Sequence, residues 1–343
     1  PTEQYPPQVM SPFAKRVKTM ESIAQSLLNY SSPKPLLLVV EDLHWADAST
    51  LEWLSLLFTK LQQQAILVVC TTRPGLSPKW IEDANIDSIT LQRLSAEDIE
   101  EISLHQTNGK VLPEEVMNQI STKTEGVPLF VEELTKMILE SDLLVEEDHG
   151  FAIDGVLSSL AIPSTLQDSL LSRLDRLSNI REVVYVGSVL GREFSFDMLK
   201  AVLPRDSTVL RQSLAQLVDA ELVTLTAEGK ETVYQFKHAL IRDTAYESML
   251  KSRRRQLHQR VADVLDQKFS TISATQPELL AYHLTEAGLF QQAIPHWLSA
   301  GQLASKQNAT TEAISHLENG IELLTHIKNE VERNALELDF TLT

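Results

Sequence analysis

The stretch Leu36-Leu37-Leu38-Val39-Val40-Glu41-Asp42-Leu43-His44-Trp45-Ala46-Asp47 decides how the first part of this chain folds. Five aliphatic residues follow the breaker Pro33-Lys34-Pro35 and run directly into two adjacent carboxylates. A short apolar run of this kind predicts a β-strand that is buried on both faces, as in a parallel sheet. Open α/β sheets bind ligands outside the carboxyl ends of their strands, which is where Glu41 and Asp42 fall.

Paired acids at the end of a buried strand are typical of a Mg²⁺-dependent phosphoryl-transfer site, the arrangement called Walker B. One carboxylate holds Mg²⁺, usually through water, and its neighbour orients the water that attacks the γ-phosphate. The pattern does not decide which of Glu41 and Asp42 has which role. His44 and Trp45 are predicted to pack against the edge of the sheet.

The motif that normally accompanies such acids, Gly-x-x-x-x-Gly-Lys-Ser/Thr, is absent from the sequence. Its backbone N–H groups would bind the phosphates. Gly109-Lys110 is followed by Val111 and Gly229-Lys230 by Glu231, and neither pair has a glycine five residues earlier. This loop precedes the acids in P-loop proteins, and only 40 residues precede Glu41 here. We therefore expect a fragment that begins inside an ATPase domain.

The segments around the acids extend the α/β pattern. Phe13 to Asn29 has a helical period of apolar residues, and Asp47-Ala48-Ser49-Thr50 supplies N-cap candidates for an amphipathic helix through Leu61. Ala65 to Thr71 predicts a second buried strand, and Ile86 to Leu91 a weaker third. Strand, helix and strand at this spacing predict a parallel, right-handed βαβ unit.

From Ser95 onward the pattern is mostly helical. Three helical segments after Pro163 precede a hairpin signal, Leu222 to Leu225 and Thr232 to Phe236 around a turn at 227–230, which together predict a winged-helix domain. His238 to Leu265 reads as one long helical stretch. Ala293-Ile294-x-His296 recurs 20 residues later as Ala313-Ile314-x-His316, which suggests a degenerate helical repeat of tetratricopeptide type.

Composition excludes several classes of protein. The 343 residues carry a net charge of −17 with a pI near 5.0, which disfavours broad binding to nucleic acid or anionic membranes. Cys70 is the only cysteine, so no internal disulfide can form, and in its strand we expect it to be inert. No apolar run approaches the length of a membrane span. We expect a cytoplasmic protein.

Glu41-Asp42-Leu43-His44-Trp45-Ala46-Asp47 resembles the Walker B region of STAND-class AAA+ ATPases. Further motifs follow in the family's order over nearly the whole chain. Val69 to Pro74 looks like the sensor 1 strand with its arginine, and Gly126-Val127-Pro128 looks like the Gly-x-Pro motif of the helical lid. Gly191 to Phe194 and Phe236 to Leu240 are similar to the winged-helix segment.

This resemblance implies a fold and a set of roles. The fold is α/β followed by mostly α, an incomplete P-loop NTPase core with added helical domains. Glu41 and Asp42 would serve Mg²⁺ and water activation. The nucleotide contacts would come from Thr72, Arg73 as γ-phosphate sensor, Gly126, and Pro128 packed against the adenine. The implied domains are the C-terminal part of the core at 1–94, a lid at 95–150, a winged helix at 151–237, a connecting helix at 238–275 and tetratricopeptide-like repeats at 276–343.

The resemblance also implies ATP and Mg²⁺ as cofactors and Mg-ATP as a conformational switch in signal transduction. A protein partner or inducer would bind the repeats, and self-association is an option. The output domain would be fused to the chain, and we favour a class III adenylate/guanylate cyclase over a Ser/Thr kinase or a LuxR-type DNA-binding domain. Without the phosphate loop, this chain alone is expected to bind ATP poorly and to be inactive.

Two other functions stay open at this point. One is a helical protein-interaction scaffold with a vestigial ATPase. The other is part of a transcription regulator that would read DNA through Ser207–Ala220, although this helix has a single cation, Arg211. The basic cluster Lys251 to Arg255 is interpreted as a solvated helix face. No metal site beyond Mg²⁺ is expected.

Overall fold

The computed structural model describes residues 10–31, 34–61, 64–75, 86–141, 144–147, 150–153, 165–176, 180–227 and 232–343. The chain divides into two compact units: the first combines Pro1–Ser88 with Leu265–Thr343, and the second is Ile89–Val264. The predicted helix start at Pro163-Ser164 and most of the predicted turn at 227–230 lie outside the described residues.

The described chain is mostly helical. Its helices, numbered in chain order, are α1 (Pro12–Ser31), α2 (Ala48–Lys60), α3 (Ala96–Gln106), α4 (Glu114–Thr124), α5 (Pro128–Leu139), α6 (Leu166–Arg176), α7 (Arg181–Leu190), α8 (Phe196–Val202), α9 (Ser207–Asp219), α10 (Ala239–Ser248), α11 (Lys251–Lys268), α12 (Ser270–Thr275), α13 (Pro277–Glu286), α14 (Phe290–Lys306), α15 (Thr310–Leu323) and α16 (Glu330–Thr341). The strands are β1 (Leu36–Val40), β2 (Ile66–Cys70), β3 (Leu144–Glu146), β4 (Phe151–Ile153), β5 (Glu193–Ser195), β6 (Val223–Ala227) and β7 (Val233–Phe236).

The first unit contains the predicted parallel βαβ unit. Strands β1 and β2 pair in parallel with Leu36 opposite Ile66, and α2 connects them. Of the four N-cap candidates, Asp47 is the cap, because its side chain accepts the Thr50 N–H at 2.6 Å. Together α1 and α2 cover one face of the pair around a small core of Ala24, Leu43, Leu54 and Leu57.

The described side chains on the opposite face of this sheet are exposed, so the prediction that both faces are buried was wrong. Leu37, Val39, Leu67 and Val69 are 60%, 50%, 64% and 42% exposed. Alternate residues of a strand point to opposite faces, and here only one face has helices packed on it.

The predicted third strand at Ile86 to Leu91 is also wrong. Residues 86–95 have no regular structure, and Leu91 is 90% exposed. A strand persists only where a neighbour completes its backbone hydrogen bonds. Among the described strands, β1 pairs with β2 and none pairs with residues 86–91.

The helical end of the first unit is closely packed. Gly301 on α14 lies so near α15 that a Cβ atom there would come within 2.4 Å of Leu317. The 20-residue repeat falls on these two consecutive helices, with Ala293 and Ala313 both buried. The repeat is not exact in its packing, because Ile294 is buried and Ile314 is 51% exposed.

The second unit begins with a three-helix bundle. Helices α3, α4 and α5 share an apolar cluster whose buried members run from Ile99 to Ile138. A capping box at Ser95 and Asp98 starts α3, in agreement with the helical pattern predicted from Ser95 onward. A short antiparallel pair, β3 with β4, follows α5.

The rest of the second unit combines α6 to α11 with an antiparallel sheet in the order β5-β7-β6. The predicted hairpin of β6 and β7 is present, whereas β5 and the short helix α8 were not anticipated. The single connecting helix predicted at 238–275 was wrong, since this segment forms three helices. Helix α10 ends where Met249 becomes extended and buries its side chain.

Candidate functional site

The two predicted acids lie at the carboxyl end of β1, beside the end of β2. Thr71 ties the two ends together, since its N–H donates to the Val40 carbonyl at 2.9 Å and its carbonyl accepts the Leu43 N–H at 2.8 Å. The Thr71 hydroxyl accepts the Asp42 N–H at 3.0 Å. Asp42 has a positive φ of 54°, a conformation that aspartate tolerates better than most residues. The chain therefore turns sharply, with Glu41 exposed at the rim.

The predicted sensor Arg73 lies at the same edge of the sheet. It comes three residues after Cys70, the last residue of β2, and its guanidinium lies over the Trp45 ring at 5.9 Å. Trp45 itself is 54% exposed, so it packs less closely than predicted. The structure thus brings Glu41, Asp42, Thr72 and Arg73 together at one end of a two-stranded sheet.

His44 has an unusual environment next to the acids. Both of its ring nitrogens are buried and have no hydrogen-bond partner among the described residues, and the same holds for the indole N–H of Trp53. A buried polar group without a partner costs about 1–3 kcal/mol. These orphaned atoms are places where a further polar group would lower the energy.

The residues present fit part of what Mg-ATP requires. Two neighbouring carboxylates, one of them exposed, suit a hydrated Mg²⁺, which keeps several of its waters and takes few protein ligands. A tighter metal site is not expected, since no group of three or more His, Cys, Asp or Glu side chains gathers within the described ranges. Phosphate binding is not provided by any Gly-x-x-x-x-Gly-Lys-Ser/Thr segment of the sequence. Glu41 and Asp42 are therefore suited to binding Mg²⁺, whereas the loop that usually binds the phosphates is absent from the sequence.

A glutamate of the repeats reaches the helix that follows the acids. The Ser49 N–H in the first turn of α2 donates to Glu312 Oε1 of α15 at 2.8 Å, and Arg16 donates to the Ser49 hydroxyl. Burial raises the pKa of Glu312, but the hydrogen bonds from Ser49 outweigh this effect and the pKa is lowered. A carboxylate is stabilised at a helix N-terminus. Sequence reasoning missed this contact because 263 residues separate the two partners.

Gly126 and Pro128, the other two predicted nucleotide contacts, belong to the second unit. Gly126 is buried with φ of 72°, and its carbonyl accepts the Leu94 N–H at 2.9 Å. Pro128 is exposed and is the first residue of α5, where a missing N–H costs nothing. Their local geometry fits a helix-start motif, and their role toward a nucleotide stays a prediction.

The cations that could contact nucleic acid instead contact other side chains of the same protein. Arg211, the cation of α9, lies over the Phe196 ring at 4.2 Å. In the basic cluster on α11, Arg253 pairs with Glu182 at 2.6 Å and Arg254 lies over the Tyr246 ring at 5.1 Å. Arg253 and Arg254 are thus partly exposed, whereas Lys251 and Arg255 are exposed as predicted for a solvated face. Cys70 is half-buried, and burial raises the pKa of its thiol.

Known proteins include chains that are similar to this one. No protein-family model matches it. An uncharacterized protein of Rhizobium meliloti (strain 1021) is 27% identical over 334 residues, which are 95% of this chain and 32% of that protein. A crystal structure of a Signal Transduction ATPase with Numerous Domains (STAND) protein with a tetratricopeptide repeat sensor from Pyrococcus horikoshii is 14% identical, with a TM-score of 0.49. The similarity covers 90% of this chain and 45% of that one.

The chain thus spans about a third of the length of its curated relative and less than half of the solved structure. Among the described helices, none is both long enough and apolar enough to cross a membrane.

Proposed function

We propose that this chain is the acid-bearing part of a signal-transducing ATPase of STAND type, in which Mg-ATP acts as a conformational switch. One observation carries the proposal. Glu41 and Asp42 directly follow β1 and Arg73 follows β2, and Thr71 hydrogen-bonds the two strand ends together. Carboxylates for Mg²⁺ and a cation for the γ-phosphate are the two charges that phosphoryl transfer needs at one edge of a sheet.

The exposed face of the sheet supports the same proposal. Parallel sheets are normally covered by helices on both faces, and here one face presents four exposed aliphatic side chains. The orphaned nitrogens of His44 also lie next to the acids. Both features are explained if the sheet belongs to a larger α/β core that includes a phosphate loop.

The proposal is tested by isothermal titration of Mg-ATP onto two proteins. The first is the chain as described, and the second is a longer protein in which a Gly-x-x-x-x-Gly-Lys-Ser/Thr segment precedes this sequence. We expect tight binding by the longer protein alone. Failure of the longer protein to bind nucleotide would contradict the ATPase function.

Substitutions in the longer protein separate binding from hydrolysis. Glu41→Gln and Asp42→Asn should each lower turnover by about 100-fold or more while ATP binding is kept, because the charge that serves Mg²⁺ or the attacking water is lost. Glu52→Gln is the matched control, since Glu52 is an exposed acid on α2 whose ion-pair partner among the described residues is Arg16 at 2.7 Å. Unchanged turnover in both site variants would overturn the assignment of the acids.

The output of the switch is proposed to be a fused cyclase domain. A sequencing read across the gene on both sides of this segment tests that part of the proposal directly. An open frame that leads into a phosphate loop and a class III cyclase domain is the expected result. A kinase or DNA-binding domain in its place would keep the switch and replace the output.

A protein-interaction scaffold is the second candidate function, and the last helix favours it. Val331, Ala335, Leu338 and Leu342 lie at helical spacing on α16 and just beyond its end, and all four are exposed. An apolar stripe of this kind suits a partner helix. If the longer protein bound no nucleotide, this would become the preferred function.

A further inference from the structure

Asn108 and Gly109 form an exposed turn between α3 and α4 that has no role in the proposed function. Both residues have left-handed backbone conformations, with φ of 53° and 85°. Both are exposed, and a Cβ atom at Gly109 would meet nothing within 4 Å. Among the described residues, the Asn108 side-chain amide has no hydrogen-bond partner. The amide and the glycine that follows it are therefore accessible to water and free of side-chain contacts.

An asparagine that precedes a glycine can modify itself. The backbone nitrogen of the glycine attacks the asparagine Cγ atom, and the new C–N bond closes a succinimide ring. The Cγ–Nδ2 bond breaks, and ammonia leaves with the proton of the attacking N–H. Water then opens the ring at one of its two carbonyls, which gives either aspartate or isoaspartate. Glycine favours the attack because it has no Cβ atom to hinder the close approach of its backbone.

The attacking nitrogen at this turn is held by a single hydrogen bond at the end of a helix. The Gly109 N–H donates to the Leu104 carbonyl in the last turn of α3 at 2.8 Å. This bond has to open before the nitrogen can reach Asn108 Cγ. Fraying of a helix end costs a free energy near zero, whereas opening inside a packed helix costs much more. The position of Gly109 therefore makes its nitrogen available in the folded protein.

Two other asparagines provide internal comparisons. Asn319-Gly320 is the other Asn-Gly pair of the sequence, and it lies inside α15. Gly320 is buried there, and a Cβ atom would lie 2.3 Å from the Phe340 ring. Asn308 has φ of 56°, and the next N–H, that of Ala309, donates to the Ala304 carbonyl at 3.0 Å. The first comparison keeps the dipeptide and changes its place in the helix, and the second keeps the turn and replaces the glycine.

Modification at Asn108 would change the path of the main chain. In isoaspartate the main chain runs through Cβ and Cγ, so it is longer by one carbon atom. The turn is tight, because the Lys110 N–H donates to the Thr107 carbonyl at 3.3 Å and the Thr107 hydroxyl donates to the Lys110 carbonyl. Lys110 pairs with Glu146 of β3 at 2.5 Å, and the Val111 carbonyl accepts the Phe151 N–H of β4 at 3.0 Å. A longer main chain displaces Lys110 and Val111 from these contacts.

We propose that Asn108 is a self-modification site, at which the Gly109 nitrogen converts the asparagine to isoaspartate and so loosens the α3–α4 connection from the β3–β4 pair. The reaction consumes only water, releases ammonia and takes place within the second unit. It needs no nucleotide, so it stands apart from the proposed ATPase function.

Mass spectrometry of the ageing protein tests the chemistry. The whole chain is kept folded in water labelled with heavy oxygen, and its peptides are followed for conversion of Asn108, Asn308 and Asn319 to labelled acids. In the folded protein Asn108 should react at least about 10-fold faster than either of the others, because only Asn108 combines a following glycine with a helix end. In urea, Asn319 should react as fast as Asn108, because the dipeptide then acts without the helix.

Three results of this experiment would overturn the proposal. Equal rates at Asn108 and Asn319 in the folded protein would show that the helix end gives no advantage. Equal rates at Asn108 and Asn308 would show that the glycine is not the cause. Fragmentation of the Asn108 peptide separates isoaspartate from aspartate, and a product that is aspartate alone would contradict the main-chain change.

Hydrogen exchange tests the structural effect. Peptides that contain Val111 or Phe151 should exchange faster in aged protein than in fresh protein, while Val131–Ile138 of α5 keeps its protection. Asn108→Gly is the matched control, since glycine keeps the left-handed turn and has no amide to react. Aged Asn108→Gly should exchange like the fresh variant. Unchanged exchange at Phe151 in the modified protein would contradict the loosening, and so would equally faster exchange in the aged Asn108→Gly variant.

Discussion

Replacing Gly126 by alanine tests how the start of α5 is fixed. Gly126 has φ of 72°, and its carbonyl accepts the Leu94 N–H at 2.9 Å. A Cβ atom would lie 2.5 Å from the Leu94 carbonyl oxygen and 2.8 Å from its nitrogen. These are backbone atoms that no side-chain rotation can move. The substitution therefore has to displace the segment that leads into α3.

The expected loss follows from three terms. A left-handed conformation costs a residue other than glycine about 1–2 kcal/mol. Overpacking typically costs about 1–3 kcal/mol, and the backbone hydrogen bond to Leu94 is worth about 1 kcal/mol. Gly126→Ala should thus destabilise the second unit by about 4 kcal/mol. Gly109→Ala is the matched control, because Gly109 has φ of 85° with nothing within 4 Å of its Cβ position, so only the first term applies.

The assay has to report on the second unit by itself. All four tryptophans lie outside residues 89–264, so tryptophan fluorescence follows the first unit. Hydrogen exchange of peptides from α4 and α5 as a function of urea gives the free energy of unfolding of the bundle. A loss in Gly126→Ala no larger than in Gly109→Ala would refute the argument from the Leu94 contact.

Two further predictions concern His258 in the second unit and Gly301 in the first. Burial lowers the pKa of His258 to about 4 from 6.5, so the unfolded chain binds a proton that the folded chain excludes. Stability should therefore be complete above pH 6.5 and fall by about 2 kcal/mol between pH 7.5 and pH 5, which urea unfolding followed by circular dichroism can measure. Equal stability at the two pH values would contradict this. Gly301→Ala should cost the first unit about 1–3 kcal/mol in unfolding followed by tryptophan fluorescence, because its Cβ meets Leu317 at 2.4 Å. Adding Leu317→Ala should recover part of the loss, and no recovery would show that the collision is not the cause.

Features that depend on neighbouring residues were predictable from the sequence. The apolar runs at β1 and β2, the N-cap at Asp47 and the β6–β7 hairpin each follow from a few adjacent side chains and are present. The position of Glu41 and Asp42 at a strand end follows from the same local pattern. Gly126 could be recognised as a break before a helix, although its contact with Leu94 could not.

Features that depend on distant partners could not be predicted. Glu133 is one of two adjacent acids in α5, and only the position of Arg173, 40 residues away, explains why it is the buried one. In the same way, Thr71 and Glu312 acquire their roles from residues that are remote in the sequence.

The β1–β2 sheet shows most clearly which features the sequence determines and which depend on the tertiary structure. The sequence by itself determined that Leu36–Val40 is an apolar strand that ends in two acids, because alternation, chain stiffness and breakers act within a few residues. Only the tertiary structure decided that one face of this strand is covered and the other exposed, and that residues 86–91 form no strand. Burial and strand pairing require a second element in the right place, and a strand's own residues carry no information about whether that element is present.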